Sequence, residues 1–197
     1  IPDGAQKVMV SAVLSNGAVI GAWLNGPEPN VIAGPHLVPT ERSVALTSWL
    51  EHQGRLEFVA PDDPDQQEFF VPRVIGTVTF SKRRLERVAR VFPARDSPTA
   101  IGLFLGLKLV GQGSVAIFCG QKSTATTVCK LLLDVATRGL NVSAPSLSSN
   151  PLELQRLVNL HTKNLGNSAT ATQAARLGVL THHGNTAHGI RLAVEHA

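Results

Sequence analysis

The sequence predicts an α/β fold with a parallel sheet, flanking helices and a small β-rich insert. Two blocks in the second half, 113–134 and 178–197, each read as an apolar strand, a polar turn and an amphipathic helix. A near-continuous apolar run at Lys7–Leu14 is typical of a strand buried on both faces. Open α/β sheets bind ligands at the carboxyl ends of their strands, so the two polar turns are candidate sites.

Composition indicates a globular protein. The chain has 197 residues, 43% of them hydrophobic and 16% charged, with a net charge of +4 and a pI near 9.5. This charge is compatible with a polyanionic partner but does not require one. Apolar runs such as Ile101–Leu107 are shorter than the ~20 residues that a bilayer span needs, and the start lacks a signal-peptide pattern. We therefore expect a soluble, cytoplasmic protein.

Two further features concern the chain's ends and its cysteines. The sequence lacks an initiator Met and stops inside a helical pattern at Ala197, so we expect it to be part of a longer chain. Cys119 and Cys129 could pair, but a single bridge is weak evidence for secretion, and we expect reduced thiols in or near the core.

The first predicted domain, 1–38, holds the strand at Lys7–Leu14 and a short helix. Asn16 and Gly17 form the turn between them, and the helix ends near Trp23. Gly, Pro and Asn are dense from Gly26 to Pro39, which indicates a linker and a domain boundary.

The second predicted domain, 39–95, begins as an antiparallel β-module. Its three strand-like segments are rich in Val, Phe and Trp, and an acidic, turn-prone stretch at 61–67 separates the last two. The segments are Ser43–Leu50, Arg55–Ala60 and Glu68–Ile75.

Ser81–Phe92, in the same domain, predicts a basic amphipathic helix. Apolar Leu85, Val88, Ala89 and Phe92 fall on one helical face, and arginines fall on the other. The basic face could follow a phosphate backbone or could simply be solvated.

The third predicted domain, 96–197, alternates helices and strands. Ser97 as N-cap and Pro98 at the first helical position begin an almost wholly apolar helix, which predicts burial in a core. The remaining elements follow from apolar periodicity and from Gly and Pro at their ends. They are a buried strand at Ser114–Cys119, helices at Thr124–Arg138, Pro151–Leu165 and up to Leu177, a strand at Val179–His183 and a helix at Ala187–Ala197.

The turn Cys119–Thr124 departs from a phosphate-binding P-loop. The earlier glycine of that motif would fall on Val115, inside the strand, and Gln121 separates Gly120 from Lys122. A cation and hydroxyls at a helix N-terminus suit one backbone phosphate of a nucleic acid better than a triphosphate. The alternative is that Ser123 or Thr124 caps the helix and that Lys122 is solvated.

His182, His183 and His188 form the histidine cluster of the sequence. Adjacent residues of a strand point to opposite faces, so His182 and His183 do not readily share a metal ion. A strand-end histidine before glycine could instead contact phosphate or sugar; the alternative is one packed and one exposed ring. Arg191 and Glu195, four residues apart, predict a surface pair.

Taken in order, three segments resemble motifs of the superfamily-two DExH-box helicases, in particular their superkiller-like branch. Val10–Asn16 is similar to motif III, 113–132 to motif IV, and 178–197, with its His-His-Gly turn and Arg-x-x-x-Glu helix, to motif IVa. The stretch 38–75 is similar to the β-rich connector between the two lobes of these enzymes.

This resemblance implies partial RecA-like lobes joined by the connector, and ATP-driven unwinding of or movement along RNA or DNA. It implies a coupling role for Ser11, Ala12 and Val13. The residues that it assigns to contact with the backbone of single-stranded RNA or DNA are Gln121, Lys122, Ser123, His182, His183 and Gly184.

The same resemblance implies ATP and Mg²⁺ for the intact parent protein, bound with the help of its remaining lobes. The Gly-Lys-Thr loop, the Asp-Glu-x-His box and the arginine-finger motif do not occur in this sequence, so we expect no catalytic residue, no metal site and no ATP hydrolysis here. Two alternatives remain: a non-enzymatic nucleic-acid or protein docking module, and a small-molecule enzyme with a deep pocket at Cys119–Thr124.

Overall fold

A computed structural model describes residues 17–26, 31, 42–51, 53–140 and 144–195. The chain divides into two compact units, 1–43 and 44–197. In the first unit, helix α1 spans Gly17–Asn25 and confirms the predicted short helix, and Gly26 follows it at a φ of 88°. The predicted strand Lys7–Leu14, the coupling residues Ser11–Val13 within it and most of the predicted linker lie outside the described residues.

The second unit begins with an antiparallel sheet in the order β1–β2–β3. The strands are β1 (Val44–Leu50), β2 (Gln53–Ala60) and β3 (Asp63–Ile75), which confirms the predicted β-module. The prediction of a long turn at 61–67 is wrong. Asp63 already pairs with Ala60, so only two residues join the strands.

The predicted basic helix at 81–92 is also wrong. Strands β4 (Val78–Thr79) and β5 (Val91–Phe92) pair antiparallel, and residues 81–90 form a loop between them that we call the basic strap. The Phe80 amide donates to the Arg90 carbonyl over 2.8 Å. A helix of ten residues is ~15 Å long. The hydrogen bond between Phe80 and Arg90 is therefore incompatible with a helix between these two residues. Leu85, expected in the core, is 94% exposed.

Five helices complete the second unit and confirm the predicted ones. They are α2 (Pro98–Leu109), α3 (Lys122–Thr137), α4 (Pro151–Leu165), α5 (Thr170–Arg176) and α6 (His188–Glu195). The side chain of Ser97 accepts from the Ala100 amide at the start of α2, and Asn150 caps α4 in the same way. None of the helices within the described ranges is long and apolar enough to span a bilayer.

The core lies between α2, α3 and the end of β3, with one residue of α5. It is built almost entirely of aliphatic and phenylalanine side chains. Its buried members are Ile75, Phe80, Phe92, Ala100, Ile101, Leu103, Phe104, Leu107, Val128, Cys129, Leu132, Val135 and Ala174. Both cysteines are free thiols, and burial raises the pKa of Cys129.

Within the described residues, the predicted strands Ser114–Cys119 and Val179–His183 do not pair with any other strand. Both segments lie outside every sheet of the described residues, and those sheets are antiparallel. Ser114–Cys119 is extended over α2, where a Cβ on Gly106 would lie 3.2 Å from Ile117 Cδ1, whereas Phe118 is 96% exposed. A buried strand needs neighbours on both edges, and no described residue supplies them. The structure thus confirms a mixed α/β class but not the parallel sheet.

Candidate nucleic-acid interface

The first polar turn leads directly into α3. Gln121 is the N-cap residue, and its side chain makes no bond to the helix amides. Its Oε1 instead accepts from Ser123 Oγ over 3.2 Å. The alternative in which Ser123 or Thr124 caps the helix is therefore wrong, because both residues lie inside it. Lys122 and Ser123 are exposed at its first two positions.

Unused donors collect at this turn. The amide of Thr124 donates to the Gln121 carbonyl over 3.1 Å, whereas the amides of Lys122 and Ser123 have no acceptor among the described residues. The start of a 16-residue helix also carries a partial positive charge. Gly120 has open space where a Cβ would lie, so a polymer could approach its backbone. The turn offers two amides and an ammonium group to one anionic oxygen cluster.

The second polar turn contains His182, His183 and Gly184. The Thr186 hydroxyl accepts from the His183 amide over 3.2 Å and lies 3.1 Å from His183 Nδ1. When that hydroxyl donates its proton to Nδ1, the ring proton of His183 lies on Nε2, which is then a donor. Gly184 is exposed, with open space around it. The turn therefore presents an oriented imidazole beside an accessible backbone.

Gly178 determines where the segment leading to this turn runs. Its φ is 82°, and a Cβ there would collide with the Ser146 amide and lie 2.7 Å from the carbonyl carbon of Pro145. The Ser146 amide also donates to the Leu177 carbonyl over 3.0 Å. Only glycine combines this positive φ with this close approach. The segment before the histidines is thus anchored at one end.

A group that we call the Glu195 cluster joins the second turn to α6. His182 Nε2 lies 2.8 Å from Glu195 Oε1, and Arg191 Nε lies 3.9 Å from the same oxygen. Arg191 Nη2 also lies 3.3 Å from His188 Nδ1. The predicted Arg191–Glu195 pair is confirmed. The His182–Glu195 contact was missed, because no local periodicity links residues 13 apart across a turn.

The two turns share a supporting core. Cys119 and Val179 both pack against the core around α2 and α3. No hydrogen bond or ion pair joins the first turn to the second within the described ranges. The structure brings Gln121 and Ser123 into contact, and it brings His182 to Glu195. Their alignment on a common edge stays a prediction.

Two surface cavities lie away from these turns. One, of about 690 Å³, lies between α4 and α6, and the other, of about 430 Å³, lies between β5, α2 and α3. Neither is lined by Cys119–Thr124 or by 182–184, so neither offers the deep pocket that a small-molecule enzyme would need at the first turn. No group of three His, Cys, Asp or Glu side chains in the described parts of the chain could hold a metal ion.

The geometry thus consists of two exposed polar turns, each preceded by an extended apolar segment and followed by a helix. No family model and no curated protein matches the chain. The structure establishes the mixed α/β class.

Proposed function

We propose that this chain is part of an ATP-dependent nucleic-acid helicase or translocase related to the DExH-box enzymes. Its role is to hold the backbone of single-stranded RNA or DNA at the two polar turns. The supporting observation is the start of α3, where Lys122 is exposed and two amides have no acceptor among the residues that the structure describes. Gln121 and Ser123 contribute polar groups there, and His182, His183 and Gly184 do so at the second turn.

The segments before the two turns support this proposal. In Ser114–Cys119, the side chains of Val115 and Ile117 approach α2 and are 41% and 36% exposed, whereas Phe118 is 96% exposed. This alternation is typical of a strand that has a helix on one face. We propose that Ser114–Cys119 and Val179–His183 belong to a RecA-like parallel sheet whose other strands come from the rest of the motor.

ATP and Mg²⁺ belong to other parts of the proposed motor. The phosphate-loop, Asp-Glu-x-His and arginine-finger sequences do not occur in this chain, so no residue here fits the triphosphate or its metal ion. Ser11, Ala12 and Val13 are assigned to coupling of hydrolysis and movement. The chain by itself is proposed to bind a single strand and to lack ATPase activity.

The chemistry of the turns suits a protein that moves along a strand of any sequence. Such a protein contacts phosphate and sugar, which are the same at every nucleotide, and avoids dependence on base edges. Amides, an ammonium group and imidazoles are suitable donors to phosphate oxygens. Binding that uses few phosphates is weak and falls with salt, with a slope of roughly −0.7 for each phosphate neutralised on a single strand.

Binding of labelled oligouridine and oligothymidine at several salt concentrations tests this proposal. Lys122→Ala should weaken binding about 5-fold and should reduce the salt slope by roughly 0.7, because it removes one cation–phosphate contact. His183→Ala should weaken binding by a similar factor. Thermal melts should show both variants folded.

Lys130→Ala is the matched control. Lys130 is also exposed and lies on the same helix, two turns after Lys122, so its loss changes the net charge equally but removes no proposed contact. If Lys122→Ala and Lys130→Ala bind the oligonucleotides equally, the effect is one of net charge, and the assignment of the first turn fails.

A non-enzymatic docking module is the second candidate, favoured by exposed apolar side chains such as Phe118. The gene sequence on either side separates the two. Flanking ATP-binding and arginine-finger motifs support the motor, whereas start and stop codons at the two ends support the module.

A further inference from the structure

We infer that the basic strap of one copy of this chain binds the acidic tip of the β2–β3 hairpin of a second copy. The acidic tip comprises residues 61–70. This inference is independent of the proposed function, because neither surface contains a residue of the two polar turns.

The inner side of the strap is fixed by ion pairs to α3. Arg83 and Arg90 bind the two oxygens of Asp134 at 3.1 and 2.9 Å. Glu86 binds Arg138, a side chain that is only 4% exposed. These contacts hold the strap in one conformation, so its outward side chains form a defined surface rather than a mobile loop.

The outer side of the strap has no partner. Arg84 and Arg87 are exposed and form no ion pair with any described residue. Leu85 beside them is 94% exposed, and Val88 is 77% exposed. Two aliphatic side chains placed almost entirely in water, next to two unpaired guanidinium groups, are typical of a surface that binds an acidic and apolar partner.

The acidic tip has the complementary composition. It contains four carboxylates and no basic residue, and every residue of 61–70 is exposed. Phe69 and Phe70 are about half exposed at its end. The carboxylates form no ion pair within the described part of the chain, whereas Phe69 stacks on Phe58 and Phe70 lies beside the Arg55 guanidinium. The carboxylates are those of Asp62, Asp63, Asp65 and Glu68.

The aliphatic side chains favour a second copy over a polynucleotide. Leu85 and Val88 cannot donate to phosphates or base edges, but they can pack on phenylalanine rings. Each copy also carries the acidic tip, which would repel a polyanion. Arg84 and Arg87 would lie opposite the aspartates, and Leu85 and Val88 opposite Phe69. Phe70, the next residue of β3, points to the other face of the sheet, beside Arg55.

The expected association is weak. Exposed ion pairs stabilise a complex only slightly, because water and salt compete for both charges. We therefore expect dissociation constants in the micromolar range or above, which increase with salt because exposed charges are screened.

Sedimentation velocity of the full chain over a range of protein concentrations provides the test. The unmodified chain should self-associate at low salt and should dissociate as salt is added. Arg84→Glu with Arg87→Glu, or Asp62→Lys with Asp65→Lys, should each abolish association. An equimolar mixture of these two charge-reversed variants should associate again, because each supplies the complement of the other.

Two further variants distinguish the contribution of apolar packing to self-association from an effect of net charge. Leu85→Ser with Val88→Ser should weaken association about 10-fold without any change in charge. Arg156→Glu, which reverses an exposed cation on α4, should leave it unchanged. Circular-dichroism melts of each variant should match the unmodified chain, because all these side chains are exposed.

Three results would overturn the inference. One is a chain that stays monomeric at low salt and high concentration. Another is a mixture of charge-reversed variants that fails to associate. The third is loss of oligouridine binding by Arg84→Glu with Arg87→Glu at unchanged self-association, which would assign the strap to a polynucleotide instead. The Lys122→Ala experiment tests the proposed function, and its outcome does not depend on any of these three results.

Discussion

Two clusters of cations and carboxylates in the second unit use the same chemistry in opposite settings. In the Asp134 cluster, three arginines surround Asp134, and one of them, Arg138, also binds Glu86. Arg138 is 4% exposed, and its guanidinium lies 5.7 Å from the centre of the Phe80 ring. In the Glu195 cluster, Glu195 contacts His182 and Arg191, and its side chain is 46% exposed.

Burial, rather than residue type, separates the roles of the two clusters. In the Asp134 cluster Arg83 and Arg90 are about half exposed, but Asp134, Glu86 and Arg138 are largely removed from water, so their ion pairs join the basic strap to α3. In the Glu195 cluster the contacts are exposed, and water competes for each of them. Replacing the Glu195 carboxylate by another anion therefore costs little free energy. The first cluster therefore supports the fold, and the second remains available to a ligand.

The largest expected difference concerns stability. Asp134→Asn removes the charge that three arginines share, and it should lower the free energy of unfolding by about 2–3 kcal/mol, the range for hydrogen bonds to charged groups. Glu195→Gln should lower it by less than ~1 kcal/mol, because its contacts are exposed. Urea denaturation of both variants measures the difference. Equal decreases in the free energy of unfolding would show that the two clusters stabilise the fold equally.

The pH dependence of stability is expected to show an effect of intermediate size. The hydrogen bond from Arg138 lowers the pKa of Glu86 from its ordinary 4.5 to about 2. A lowered folded-state pKa stabilises the fold above the unfolded value, and this stabilisation is lost as the pH falls from about 4.5 towards 2. The stability difference between the unmodified chain and Glu86→Gln should be constant above pH 5 and should shrink across that window. A difference that does not change with pH would contradict the pairing.

The smallest expected effect concerns binding and rests on the proposed function. A carboxylate that contacts both His182 and Arg191 competes with phosphate for the same hydrogen-bond donors. Glu195→Gln should therefore increase affinity for labelled oligouridine about 2- to 3-fold, the equivalent of one exposed ion pair. Glu153→Gln is the control, because it removes an exposed carboxylate on α4, outside both turns. An equal gain in both variants would indicate a net-charge effect.

Local signals predicted the helices well. Ser97 and Asn150 cap α2 and α4 as expected of their side chains, and Gly139 and Gly166 adopt positive φ at the ends of α3 and α4. These features depend on residues within a few positions, so they can be recognised in the linear sequence.

Two predictions were wrong because contacts between residues far apart in the sequence determined the structure. Residues 81–90 have a helical apolar pattern, yet pairing of β4 with β5 and ion pairs to Asp134, 44 or more positions away, determine their conformation. The pattern at Ser114–Cys119 predicts a buried strand, yet burial requires neighbouring strands that the described residues do not contain. In the candidate site, the exposed polar turn before each helix was predictable, whereas the His182–Glu195 contact was not.

The sequence by itself determined the mixed α/β class, the positions of the helices and the polar character of both turns. Periodicity, capping residues and glycines act over one or two turns of chain, so their consequences are encoded locally. The tertiary structure alone decided which charges are buried with partners and which remain exposed. That distinction depends on contacts between residues far apart in the chain, because only folding brings their opposite charges together and removes them from water.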